Sequence, residues 1–378
     1  MAHKITLYPE GNADTCLVEP ENGEMLLFDY ADRHGDDEVE KLRVDLSATL
    51  EEKLEVAGRD GFDVVAFTHL HDDHIHGATE FFHLQHALRY QIGDRAEINE
   101  LWVPSAAITE ENLKGEAAVI RAEARHRLRE GEGIRVFSRP EALADWLASQ
   151  GIALNDRRRL ITDAGQIVPG RSKEVDGIEF FAHSPFAHRQ NDNELVDRNR
   201  SSLVLQATFR YGGQDVRLFL SADSSHKALA DIVGISLYHG NGDRLEWDIM
   251  KIAHHCSYTS LGPEKGAEVT KPVPEVAQLL QNFGQNGGIL VSSSDPIPKV
   301  DTDQPPHRQA ATYYRRVAHG HDGEFEVTMQ HPKVSRPEPL VLTIDDTGAS
   351  IEKVITTGSA VITTRPAPRA GRGPSRVG

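Results

Sequence analysis

Residues 63–77, Asp-Val-Val-Ala-Phe-Thr-His-Leu-His-Asp-Asp-His-Ile-His-Gly, constrain this chain more than any other stretch. An apolar, β-branched run ends at Thr68, and four imidazoles and two carboxylates follow within eight residues. Successive residues of extended backbone point to opposite sides, so His69 and His71 share a side and can bind one metal together. The chain then turns, and Asp73 and His74 can reach a second position close by. Neutral imidazole and carboxylate suit zinc, manganese or iron, and no thiolate is needed. The bland alternative is a polar loop of surface histidines. Chance assembly of His-x-His-x-Asp-His directly behind a buried strand is improbable, so the segment predicts a metal centre.

The rest of the chain is patterned as two groups of strands. Short strands are expected at residues 5–8, 16–18 and 25–28, the last two joined by a turn at Asn22-Gly23. A helix-periodic acidic stretch covers 44–57, and 63–68 reads as a buried strand. From about 77 to 160 the pattern turns helical and arginine-rich, most clearly at 110–130 and 140–150, with Ser138 and Pro140 at the start of the second. Strand patterns return at 178–182, 202–207, 216–221, 248–253 and 289–293, and helices are expected at 274–281 and 308–318. Residues 340–344 and 350–354 read as a closing hairpin. Such an order predicts stacked sheets covered by helices, a four-layer α/β arrangement. Residues 1–358 are read as one domain, with about 78–172 as a helical, arginine-rich insertion. The tail 359–378, with Arg365, Arg369, Arg372 and Arg376 among Pro and Gly, is expected to be disordered.

A chain of 378 residues has room for a substantial core. Its net charge of −17 argues against broad, unguided binding to nucleic acid, although a locally cationic cleft stays open. Two cysteines, Cys16 and Cys256, do not make a disulfide framework and fit a reducing compartment. The first ten residues lack the apolar core of a signal peptide, and no apolar run approaches the ~20 residues that span a bilayer. A soluble, cytoplasmic protein without a membrane partner is expected.

His69-Leu70-His71-Asp72-Asp73-His74 resembles the signature of the metallo-β-lactamase superfamily. Other segments resemble one branch of it, the hydrolase domain of the competence DNA-uptake protein ComEC and its stand-alone relatives. Residues 11–18 with 26–29 are similar to that branch's opening hairpin, Asn199-Arg200-Ser201-Ser202-Leu203-Val204-Leu205 to its next strand, and 218–223 to a strand ending in aspartate. Asp248-Ile249-Met250-Lys251-Ile252-Ala253-His254-His255-Cys256-Ser257 resembles its paired-histidine segment. These matches fall in the family's order across roughly residues 4–345.

The resemblance implies a four-layer αββα sandwich and a dinuclear centre of two divalent transition-metal ions, zinc or manganese. It implies that Asp223 bridges the metals, with helix capping before Ser224-Ser225 as the alternative. One of His254 and His255 completes the second site; neighbours at a strand end face opposite ways, and spacing does not choose between them. His183 is the candidate third histidine of the first site, against a plain loop histidine, with His188 as the fallback. Asp29 supports a ligand from outside. His76 stands where the branch has glycine, as does Cys256, which reads as a small packed residue or an oxidisable thiol. Residues 304–308 resemble a step of that branch before a helix, which makes His307 a candidate proton donor or phosphate contact.

The chemistry implied is hydrolysis by a bridging hydroxide, with Asp73 orienting it and His307 or His76 protonating the leaving oxygen. Phosphodiester bonds are the expected substrate, as in a nuclease or other phosphodiesterase. Thioester, amide or small phosphoester bonds, within a ubiquitin-like conjugation pathway, are the alternative, and a catalytically silent metal-binding module is the third. Arg121, Arg125 and Arg129, at i, i+4 and i+8, can form a cationic stripe for phosphate, or a solvated face paired with Glu123 and Glu130.

Overall fold

The computed structural model describes residues 2–187 and 201–352. His188, Asn199, Arg200 and the tail 359–378 lie outside the described residues. A first sheet begins with β1 (His3–Leu7), β2 (Cys16–Glu19), β3 (Leu26–Phe28), β4 (Gly61–Ala66), β5 (Glu97–Pro104), β6 (Ile134–Phe137) and β7 (Ile161–Thr162). A second contains β8 (Gln166–Ile167), β9 (Ile178–Ser184), β10 (Val204–Tyr211), β11 (Gln214–Leu220), β12 (Trp247–Lys251), β13 (Gly284–Ser292) and β14 (Glu324–Val327). After a small ribbon, β15 (Pro332–Lys333) and β16 (Arg336–Pro337), the chain rejoins the first sheet with β17 (Leu340–Asp345) and β18 (Gly348–Ile351). The first sheet runs β18-β17-β1-β2-β3-β4-β5-β6-β7 and the second β14-β13-β12-β11-β10-β9-β8. Strands β3 to β7 are parallel, as are β11 to β14.

Between the sheets lies one apolar core, to which Ile5, Phe28, Val64 and Trp102 contribute from the first and Phe180, Leu205, Leu218 and Ile249 from the second. Among the described residues the α-helices are α1 (Leu46–Ala57), α2 (Asp72–Ile75), α3 (Ala78–Phe81), α4 (Ala106–Thr109), α5 (Gly115–Glu130), α6 (Glu141–Ser149), α7 (His226–Tyr238), α8 (Pro274–Asn282) and α9 (Arg308–Gly320). Leu46, Leu50, Ile120, Leu128 and Leu143, from α1, α5 and α6, pack on the outer face of the first sheet. Leu229, Val276, Leu279, Tyr314 and Val317, from α7 to α9, cover the second. The result is the four-layer αββα sandwich, in which parallel strands of both sheets carry their loops to one edge. Helix α1 shows how local signals set the layers: Asp45 accepts the Ala48 amide at 3.0 Å, and Gly58, at φ 65°, closes the last turn.

The segment 78–172 carries the expected helices, and it also supplies β5, β6 and β7 to the first sheet. A parallel strand buried on both faces shows no alternation, so Leu101-Trp102-Val103 has no period to read. The helix expected over 110–130 starts only at Gly115, after the separate turn α4. Helix α7 has no counterpart among the sequence expectations. Among the described residues, no helix is long and apolar enough to cross a membrane.

Candidate metal centre

Loops leaving the carboxyl ends of β3, β4, β11, β12 and β13 converge at one edge of the sandwich, where open α/β sheets commonly place ligands. Asp29 follows β3, and the histidine segment follows β4 as far as α2. Asp223 stands three residues past β11, and the pair His254-His255 follows β12. Asp14, from the loop between β1 and β2, joins them; its amide donates to the Asp73 carbonyl at 3.0 Å.

Two groups of donors face one another. Asp14, His74, Asp223 and His255, all buried, form one; buried His69 with the partly exposed His71 and Asp73 forms the other. In the buried group each imidazole has one nitrogen already committed. His74 Nδ1 donates to Asp29 Oδ2 at 2.8 Å, and His255 Nδ1 to the Ser293 carbonyl at 2.8 Å. Asp29 is itself fixed, because it accepts from the Thr68 amide at 2.7 Å and the Thr68 hydroxyl at 2.8 Å. The opposite nitrogens, His74 Nε2 and His255 Nε2, are buried without a hydrogen-bond partner, as is Asp223 Oδ1. They converge: His74 Nε2 lies 3.4 Å and His255 Nε2 3.7 Å from Asp223 Oδ1, and His255 Nε2 lies 3.3 Å from Asp73 Oδ2. Ligands about 2 Å from a shared ion stand roughly 3–4 Å apart, so these residues fit a metal. Unpartnered buried polar atoms are costly, and a bound cation removes that cost.

The other oxygen of Asp223 faces the second group. Oδ2 is 3.9 Å from His69 Nε2 and 3.8 Å from His254 Nε2, and His69 Nε2 is 3.0 Å from His71 Nδ1. Asp223 therefore presents one oxygen to each side. It is not the cap of α7, since Ser225 accepts the Ala228 amide there.

Both members of the histidine pair approach Asp223, contrary to the alternation expected of a strand end. His254, His255 and Cys256 have φ of 52°, 50° and 62°, a left-handed turn of three non-glycine residues. Such residues cost about 1–2 kcal/mol each. The turn is held by the His254 amide on the Ala222 carbonyl at 3.1 Å and by the His307 amide on the Cys256 carbonyl at 3.1 Å. It sends His255 into the buried group and His254 to the rim, with 27% of its side chain exposed.

The electrostatics call for positive charge. Burial works against a proton on His74, but Asp29 and Asp223 outweigh it and hold its pKa well above the usual range. Burial opposes His255 likewise, and Asp223 and Asp14 raise it to about 9. Burial would raise Asp223 and Asp73; His255 and His74 hold both carboxyls below the usual range. His69 is pushed well down by burial and by His74. Metal binding displaces protons of this kind.

Several expected site residues sit elsewhere. His183, on β9, points away into the layer under α7: its Nε2 donates to the Arg244 carbonyl at 2.9 Å, and Phe219 lies 5.0 Å from its ring. Burial lowers its pKa to about 4. The ring of His307 is engaged beside the turn, where Nδ1 accepts from the Tyr258 amide and Nε2 faces the Asp303 carbonyl, both at 3.4 Å. Its ring nitrogens thus face backbone groups of Tyr258 and Asp303, and His307 is not among the clustered donors. His76 is exposed and lies 3.3 Å from Asp72, in a solvent-facing group with Glu116. Cys16 and Cys256 are buried and free, and neither belongs to a donor group among the described residues.

The arginine stripe is largely spent on structure. Arg121 donates to the Glu110 carbonyl at 2.7 Å, and Arg125 to the Ile108 carbonyl at 2.8 Å and to Glu111 at 2.9 Å. These bonds pin the turn after α4, whose Glu110 lines the pocket beside His69. Arg129 is exposed, and all three arginines border a surface hollow of about 300 Å³ with Trp146 and Gln150. Sequence reasoning missed Asp14 as a site residue; the polar Gly-Asn-Ala-Asp between two strands of the sheet was the available signal.

No protein-family model matches the chain, and no curated protein is significantly similar to it. Solved structures with a similar trace include the class B3 di-zinc metallo-β-lactamase LRA-12 from an Alaskan soil metagenome, at 10% identity and TM-score 0.29, covering 65% of this chain and 73% of that one. The metallo-β-lactamase GOB-18 from Elizabethkingia meningoseptica shares 13% identity at TM-score 0.30, covering 72% and 83%. A diphosphatase of the PhnP family shares 10% identity at TM-score 0.29, covering 81% and 93%.

Proposed function

We propose that the protein is a metal-dependent hydrolase with two divalent ions, zinc or manganese, that acts on phosphodiester bonds. One observation carries the reading: buried His74 Nε2, His255 Nε2 and Asp223 Oδ1 converge without hydrogen-bond partners while their supporting atoms are fixed. Asp73, His74, Asp223 and His255 would hold one ion. His69, His71 and the second oxygen of Asp223 would hold the other, with His254 nearest on the rim. Ions there supply Lewis acidity and lower the pKa of water.

The chain's own residues do the rest. Asp29 and Ser293 fix the tautomers and orientations of His74 and His255. Asp73, with 30% of its side chain exposed, can orient a water by accepting its hydrogen bond. His71, Asp73 and His254 line the solvent side, so substrate enters there. Similarity to the DNA-uptake branch favours phosphodiesters, and nucleic acid is the polymer to test. The purified protein, with zinc or with manganese, should hydrolyse bis-p-nitrophenyl phosphate, and His71→Ala should abolish this. Single-stranded DNA, duplex DNA and RNA extend the assay. If the parent cleaves none of the four with either metal, the phosphodiester reading fails and thioester or amide substrates replace it.

A further inference from the structure

Lys251 ends β12 with only 5% of its surface exposed, and its ammonium is hydrogen-bonded to Asp14 Oδ2. Lysine is almost never this buried unless paired. The pair links the second sheet to the first directly beneath the donor cluster. Within the buried group, Asp14 Oδ2 is 3.7 Å from His74 Nδ1 and its Oδ1 is 4.0 Å from His255 Nδ1. Both of those nitrogens are already committed to Asp29 and Ser293, so Asp14 is not needed to orient either ring. What it adds is charge. Asp14, Asp29, Asp73 and Asp223 bring four carboxylates to one edge. Among the described residues, Lys251 is the lysine or arginine that an ion pair ties to them.

We infer that Lys251 is a resident counter-ion, a positioning residue that holds this edge folded before metal is bound. The inference rests on the metal reading above. It has a thermodynamic consequence. Lys251 stabilises the metal-free form, where it is the fixed cation, more than the loaded form, where the ions neutralise the same carboxylates. By linkage, a group that favours the metal-free form lowers metal affinity to the same extent. The lysine secures a preformed site by weakening its grip on the metal.

The test is Lys251→Met, which keeps the apolar stem and removes the charge. Thermal midpoints are measured for the parent and the variant, stripped with chelator and then reloaded with zinc. A buried carboxylate left without its partner should lower the midpoint of the stripped variant by roughly 5 °C. Zinc should recover most of that loss, so the zinc-induced rise exceeds the parent's, and competition against a chromophoric chelator should show tighter zinc binding. Asp14→Asn combined with Lys251→Met removes both charges and should return the stripped midpoint toward the parent value. This double variant also serves as the measurable form if Lys251→Met does not fold without metal. An equal loss in stripped and loaded forms, or weaker zinc binding in Lys251→Met, overturns the inference and leaves Lys251 a packing residue. A parent that binds no zinc and shows no rise sinks the metal reading itself, an outcome distinct from either.

Discussion

Two concentrations of polar side chains stand out, the His/Asp cluster at the strand ends and the arginines of α5, and they differ in what their atoms already do. In the cluster, His74 Nε2, His255 Nε2 and Asp223 Oδ1 are buried and unpartnered while their neighbours are locked. On α5, Arg121 and Arg125 hydrogen-bond the carbonyls that end α4. Both looked like ligand sites in the sequence. Donors that already hold backbone carbonyls need no ligand, whereas unsatisfied interior atoms that converge on one point fit one. The comparison separates a site from a brace.

The largest effect expected is on the metal ligands. His71→Ala should remove metal and activity, and Asp223→Ala should leave at most one ion; elemental analysis should show affinity down by more than about 100-fold, beyond what supporting residues cost. Next comes Asp29→Asn, which leaves every ligand in place but loosens His74. Chelator competition should show affinity lower by about 10–100-fold. An unchanged affinity would mean that the Asp29–His74 bond does not hold the ligand in place.

On the brace side, Arg125→Ala should leave metal content unchanged and lower stability by about 1–3 kcal/mol in urea unfolding, since the Ile108 carbonyl loses a donor. Arg121, Arg125 and Arg129 all changed to Glu should spare hydrolysis of a small phosphodiester. If that variant also weakens DNA binding with a shallower salt dependence, the hollow beside Trp146 grips phosphate and the distinction breaks down. The smallest effect belongs to Cys16→Ala with Cys256→Ala, which should leave metal content intact. Loss of metal on changing Cys256 would place that thiol in the site.

The comparison also shows what was legible in the sequence. The His-x-His-x-Asp-His spacing was readable because a buried strand followed by imidazoles has few other meanings, and the layer order followed from grouped strands and helices. His183 misled because all seven residues of β9 are buried, so neither face is marked by polarity. The roles of His254 and His255 were unreadable because a left-handed turn of non-glycine residues carries no sequence signature, and here long-range bonds to Ala222, Ser293 and His307 impose it. Lys251 and Asp14 are 237 positions apart and meet only when the two sheets close.

Metal content per chain tests the central claim most directly. Protein purified without chelators, or stripped and reloaded with zinc or manganese, should hold about two ions per chain, matching the two donor groups joined by Asp223. A content near zero that neither metal raises would contradict it, and the unpartnered atoms of His74, His255 and Asp223 would then need another explanation.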